Sequence, residues 1–118
     1  SRYYYSMFIR VSYIYKGIMG YTDTGLNSHQ RVLSQLKKMI EGFLLEKQYL
    51  ESGTGKKISE LFIRLELCCN YRNIADYKDI ELTKNNVNYL KKTLWMFNSL
   101  YEIILEICGI VKKEREDV

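Results

Sequence analysis

Several short stretches of this chain hold residue types that do chemistry in other proteins, so their spacing decides what they can do here. Ser52, Gly53, Thr54, Gly55, Lys56 and Lys57 supply the glycines and the lysine with which a phosphate-binding loop brings backbone N–H groups and an ammonium to phosphate. Yet Leu50 stands where such a loop needs its first glycine, Lys57 stands where it needs Ser or Thr, and helical rather than strand periodicity precedes it. The stretch reads as a turn between helices. Asp23, Thr24 and Gly25 spell the triplet of aspartic proteases, in which two facing aspartates share a proton to activate water. That chemistry needs a β framework, whereas this triplet lies in a polar connection, where a capping turn with Gly25 at positive φ accounts for it.

His29 is the single histidine, so any Ser/His/Asp or Cys/His arrangement would have to pass through it. It falls in the first turn of a helix, where an exposed side chain is expected. Cys68 and Cys69 are adjacent, which on a helix points them about 100° apart and suits neither a mutual disulfide nor a shared metal. With Cys108 they are expected to be buried thiols in a reducing compartment, and one histidine leaves a Cys/His zinc set short of ligands. Glu102 and Glu106 share a helix face, but glycosidase or di-iron chemistry takes carboxylates from facing elements, and no Glu-x-x-His occurs. We therefore assign no catalytic residue, metal or cofactor, infer no small-molecule substrate, and expect a protein that is not an enzyme.

The tyrosines say more. There are eleven in 118 residues, and Tyr3, Tyr4, Tyr5, Tyr13, Tyr15 and Tyr21 fall together with Arg2, Arg10 and Lys16. Protein interfaces favour that mixture. It can also stack on bases while neutralising phosphate, and the rings can equally pack a core with their hydroxyls reaching water. Tyr3, Tyr4, Tyr5, Tyr13 and Tyr15 are the candidate interaction surface; Arg2, Arg10, Lys16, Arg31, Lys37 and Lys38 are the candidate contacts to nucleic acid. Net charge is +4, with seven Lys/Arg against three Asp/Glu in residues 1–50 and eleven against eleven in the remainder. The excess lies wholly in the first half, without the dense basic stripe of a dedicated nucleic-acid binder. The pairs Lys37-Lys38, Lys56-Lys57 and Lys91-Lys92 need not form one patch.

What must position these residues is a set of helices. Proline is absent, so Gly- and Asn-containing stretches punctuate the chain. Residues 3–19 show both a strand-like alternation (Tyr5, Met7, Ile9, Val11, Tyr13, Tyr15) and a helical recurrence (Tyr4, Phe8, Val11, Tyr15, Ile18). A helix is expected, because no second strand is available and a lone strand cannot satisfy its backbone. After a turn at 20–27, Asn27 or Ser28 caps a second helix reaching about Glu51, with Val32, Leu33, Leu36, Met39, Ile40, Phe43, Leu44 and Leu50 on one face. Residues 52–55 break the pattern, Thr54 can cap, and a third helix runs through Cys69 to end or bend within 70–79.

The last helix has the clearest pattern. Val87, Leu90, Leu94, Phe97, Tyr101, Ile104, Cys108 and Val111 follow the three-four steps of a heptad seam. Met96, Leu100, Ile103, Ile107 and Ile110 form a second row, leaving a polar strip around Asn98, Glu102 and Glu106. Such a helix must be covered on most sides, by its own bundle or by another chain. The charged run at 112–118 is expected to fray. Interrupted by Asn98, Ser99, Glu102, Glu106 and Gly109, residues 94–111 look too polar to span a membrane alone, and no secretory h-region opens the chain.

These elements predict one all-α domain over 1–118, a small antiparallel bundle of about four helices, for which an up-down-up-down order is one solution. A soluble, cytoplasmic, non-catalytic interaction module is the expected function, self-associating as a homo-oligomer or docking a protein partner, with no membrane contact. The alternative is an accessory protein that binds RNA or DNA through the basic, tyrosine-rich first half.

Overall fold

A computed structural model describes residues 2–22, 28–78 and 80–117, and every regular element among them is helical. Helix α1 covers Arg2–Ser12 and continues into a wider π-helical turn, Tyr13–Ile18; α2 is Ser28–Glu46, α3 is Gly53–Tyr77 and α4 is Lys84–Glu116. In α1 the strand-like alternation dissolves into a helical one: Met7, Val11 and Tyr15 are buried while Tyr5, Ile9 and Tyr13 face out. The π-helical turn, closed by Met19 N–H donating to the Ile14 carbonyl at 2.9 Å, brings successive side chains closer in angle. Ile14 and Tyr15 are both inside the core as a result.

Helix α2 ends at Glu46, five residues before the expected Glu51. Gln48 takes a left-handed φ of 64°, its N–H donates to the Leu45 carbonyl, and Tyr49 N–H reaches back to Leu44 at 2.7 Å. This is a Schellman closure with glutamine in the place glycine usually takes, so the residue type gave no sign of a stop. Ser52, not Thr54, caps α3: its hydroxyl oxygen accepts from Gly55 N–H at 3.0 Å and its O–H donates to the Tyr49 carbonyl at 2.6 Å. Gly55 is required for space, because the carbonyl oxygens of Tyr49 and Leu50 occupy the volume a Cβ would need. The phosphate-loop look of this stretch is thus the mark of a tight α2–α3 turn. Thr83 and Asn86 start α4 with reciprocal side-chain caps, each at 3.1 Å.

Helix α4 packs against all three others. Its 33 residues amount to about 50 Å at 1.5 Å per residue, close to the molecule's longest dimension of 47 Å. The expected fraying after Val111 does not occur before Glu116, since Lys47 pairs with Glu114 at 3.0 Å and Arg115 bonds the Tyr21 hydroxyl. Helices α2, α3 and α4 alternate in direction, with Gln30 against Asn70 and Lys37 against Glu66 across one pair, and Arg64 against Thr93 across the other. Helix α1 departs from the up-down-up-down order. Tyr3 lies by Lys91, Arg10 by Phe97 and Tyr101, and Tyr21 by Arg115, so it runs the same way as α4. The ten peptide steps from Ile18 to Ser28 reach about 33 Å when extended, longer than α1, and so allow two successive helices to point the same way.

The core is one cluster from all four helices, and it includes Cys68, Cys69 and Cys108 as free thiols. By length and composition α4 is apolar enough to cross a membrane, with a mean hydropathy of 1.5 over an 18-residue window of which 33% is buried in the bundle. Its scattered polar residues therefore interrupt it less than the sequence suggested, because Ile, Leu, Phe and Val outweigh them in the average.

Candidate functional site

Two of the five tyrosines expected at an interaction surface belong to the core. Tyr4 and Tyr15 are each 1% exposed. The Tyr15 hydroxyl donates to Gln35 Oε1 at 2.6 Å. Tyr4 lies 2.9 Å from His29 Nδ1 and stacks on Phe8, whose ring in turn stacks on His29 at 3.6 Å. His29 is half-buried rather than exposed as expected. Burial, then the positive charges of Arg72 and Lys16, hold its pKa below the ordinary imidazole value. The ring is thus neutral at pH 7, and its Nδ1 shares one hydrogen bond with the Tyr4 hydroxyl. Burial pushes the Tyr4 phenol well above its usual range, as suits a hydroxyl that stays a donor.

The other three rings are nearer the surface. Tyr3 is half-buried with the Lys91 ammonium 5.7 Å from its centre. Tyr5 is exposed, but its hydroxyl donates to Asp76 Oδ2 at 3.1 Å while Arg72 sits over its ring and pairs with the same carboxylate at 3.2 Å. Among the described residues of this segment, Tyr13 in the π-helical turn and Ile9 one turn before it form the uncommitted apolar surface.

The six cations proposed for nucleic acid do not converge. Arg10 lies flat against Phe97 and Tyr101 of α4, 4.5 and 5.1 Å from their ring centres, and Lys37 pairs with Glu66 at 3.7 Å. Arg2 and Lys16 stand near opposite ends of the α1 segment, and Arg31 and Lys38 are exposed on α2. Lys38 meets another cation: with Arg115, Tyr15, Tyr21 and Gln35 it lines an open cavity of about 620 Å³. The thiols offer no reactive group at neutral pH, since burial pushes Cys68 and Cys108 up to about 11 and raises Cys69 as well.

The cavity with the most apolar lining is elsewhere. A groove of about 670 Å³ lies between α3 and α4, lined by Lys57, Glu60 and Arg64 on one wall and by Lys92, Trp95 and Met96 on the other. Arg64 is held by neutral groups, donating to Thr93 Oγ1 at 3.0 Å and lying 4.0 Å over the Tyr89 ring, and it pairs with no carboxylate among the described residues. Buried Thr93 completes the arrangement by donating to the Tyr89 carbonyl at 2.8 Å. Trp95 is 76% exposed. Beyond it the outer face of α4 continues through Ile103 and Ile110, 37% and 46% exposed.

The second apolar row of α4 is thereby split. Leu100 and Ile107 are covered by the bundle, whereas Ile103 and Ile110 are not. Trp95 and Arg64 were missed by sequence reasoning. A signal existed for the first: the only tryptophan falls on the polar strip of α4, in line with Ser99, Glu102 and Glu106, where a core aromatic has no place. Nothing local marked Arg64, whose setting is made by two helices. No family model, no curated protein and no solved structure matches this chain.

Proposed function

We propose that this protein is a non-catalytic helical-bundle interaction module whose contact surface is the outer face of α4 with the adjoining α3 groove. The observation that carries the reading is Trp95, the one tryptophan of the chain, standing 76% exposed beside an apolar line that its own bundle leaves bare. Burying a tryptophan of this kind is among the largest single contributions a side chain makes to association. The α1 stripe that the tyrosine count pointed to offers less, because Tyr5 is already engaged by Asp76 and Arg72.

Hydroxyl-radical labelling tests this. Trp95 and Met96 should oxidise readily in dilute purified protein and be protected at high concentration or in an extract of cells expressing the chain, with Tyr13 as the internal comparison. Equal oxidation of Trp95 under all these conditions would sink the reading.

A second reading, binding of RNA or DNA, draws on the cavity that Lys38 shares with Arg115 and the two tyrosines Tyr15 and Tyr21. It predicts an affinity that falls steeply with added salt and is lost in Lys38→Glu. No detectable binding at low ionic strength removes it.

A further inference from the structure

The outer face of α4 is complementary to itself, and we propose that its occupant is a second copy of this chain, with α4 packed antiparallel on α4 about a two-fold axis at Ser99. The proposal rests on the interaction-module reading and names its partner. Lys92, Met96, Ser99, Ile103, Glu106, Ile110 and Lys113 follow alternating four-three steps along one side of the helix, and all but the half-buried Met96 are exposed. This is a second heptad line, opposite the one that builds the core.

Reversing the helix about Ser99 matches unlike residues. Lys92 and Glu106 lie seven residues to either side of Ser99, so each meets the other across the axis. Trp95 and Ile103 lie four residues to either side, so the exposed indole of one copy covers the exposed isoleucine of the other. An isologous interface makes every such contact twice, and the small side chain at Ser99 lets the two backbones approach where they cross. Neither Lys92 nor Glu106 pairs with an opposite charge among the described residues of its own chain.

The direction of packing follows from the same charges. Lys91 and Lys92 precede Ser99, and Glu102 and Glu106 follow it. A parallel pair would set lysine on lysine and glutamate on glutamate, while the antiparallel pair neutralises both ends. A bilayer is a poorer occupant for this face, because the same four charges would have to leave water. Burial of Trp95 and Ile103 drives the association, and the ion pairs select its register.

Light scattering over a concentration series, together with the emission of the sole tryptophan, tests the proposal on the full chain. The mass should rise from the monomer's 14.1 kDa to twice that, and the Trp95 emission should shift to the blue as it does. Lys92→Glu and Glu106→Lys should each weaken dimerisation about tenfold, since each change acts twice across the axis, and the combined exchange should restore it. Trp95→Ser should weaken it by about a hundredfold or more, with helical circular dichroism unchanged.

A monomer at every concentration overturns the proposal, as does a dimer indifferent to Trp95→Ser or a double exchange no tighter than the single variants. Should purified protein remain monomeric while Trp95 is protected only in extract, the second copy is refuted and the module reading stands. A Trp95 that is bare under both conditions ends both. A monomer whose emission shifts only on adding phosphatidylglycerol vesicles overturns the proposal in favour of a membrane.

Discussion

Helices α1 and α4 both carry large aromatic side chains beyond a plain apolar stripe, and they dispose of them in opposite ways. In α1 the rings that look like an interaction surface are largely consumed by the fold: Tyr15 is buried on Gln35, Tyr4 on His29, and Tyr5 is tied to Asp76 and Arg72. In α4 the one aromatic on the solvent side has no such tie, and Trp95 stands next to isoleucines that are also bare. A tyrosine hydroxyl lets a ring enter a core and still satisfy its polar end, so abundance of tyrosine by itself does not mark a surface. An indole with a single N–H on a polar strip has less to gain from its own bundle.

The largest test of that contrast is stability. Tyr15→Ala should cost about 3–5 kcal/mol, like other buried aromatic truncations. At concentrations where the chain is monomeric, Tyr13→Ala and Trp95→Ala should fall within about 0.5 kcal/mol of the parent in urea unfolding, as surface substitutions do. Similar losses at Tyr13 and Tyr15 would erase the distinction between used and unused rings.

The α2–α3 turn sharpens the comparison, because it too looked chemical and proves structural. Gly55→Ala forces a Cβ into the Tyr49 and Leu50 carbonyls and should cost about 1–3 kcal/mol. Gly53→Ala, which meets nothing within 4 Å, should gain about 0.5–1 kcal/mol. Equal effects at the two glycines would argue that steric room is not what the turn requires.

Arg10 gives a smaller effect of the same kind. Its guanidinium faces Phe97 and Tyr101, so Arg10→Met should lose about 0.5–2 kcal/mol of stability. Lys92→Met, on the bare face of α4, should leave the unfolding midpoint of the dilute monomer where it is. A stable Arg10→Met that loses affinity for nucleic acid would instead return Arg10 to a binding role.

The smallest effect is one of pH. Because the folded-state pKa of His29 lies below its unfolded value of about 6.5, the unfolded chain takes up the proton first as pH falls. Its contribution to stability is therefore complete above about pH 6.5 and declines as the pH drops toward the folded-state value. The urea midpoint should fall over that window in the parent and less so in His29→Gln. As the only histidine, it also gives a single imidazole NMR signal that reports the folded pKa directly. A folded pKa at or above the ordinary value would remove the Tyr4–His29 joint from the description of α1.

Much of the bundle was legible in residue order. The core face of α2, the heptad line of α4 and the buried cysteines of α3 all follow from periodicity, and the helix over α1 follows from the lack of any strand to pair with it. Where the reading slipped, the deciding contact came from distant residues or an unusual local choice. Gln48 in a left-handed turn ended α2 early, and Lys47 and Tyr21 held the α4 tail in place. The candidate surface was harder still, since Tyr4 and Tyr15 carry the same side chain as Tyr13 and differ only in what surrounds them.

Residue order alone determined that this protein is a set of amphipathic helices with a last helix too apolar to stand by itself, because helical period and capping are local properties. Tertiary structure decided which part of that helix stays bare. With α1, α2 and α3 gathered on one side of α4, Leu100 and Ile107 are covered and Ile103, Ile110 and Trp95 are not. Coverage depends on where neighbouring helices lie around the axis, and a chain whose first two helices run the same way distributes them as no single-helix pattern can specify.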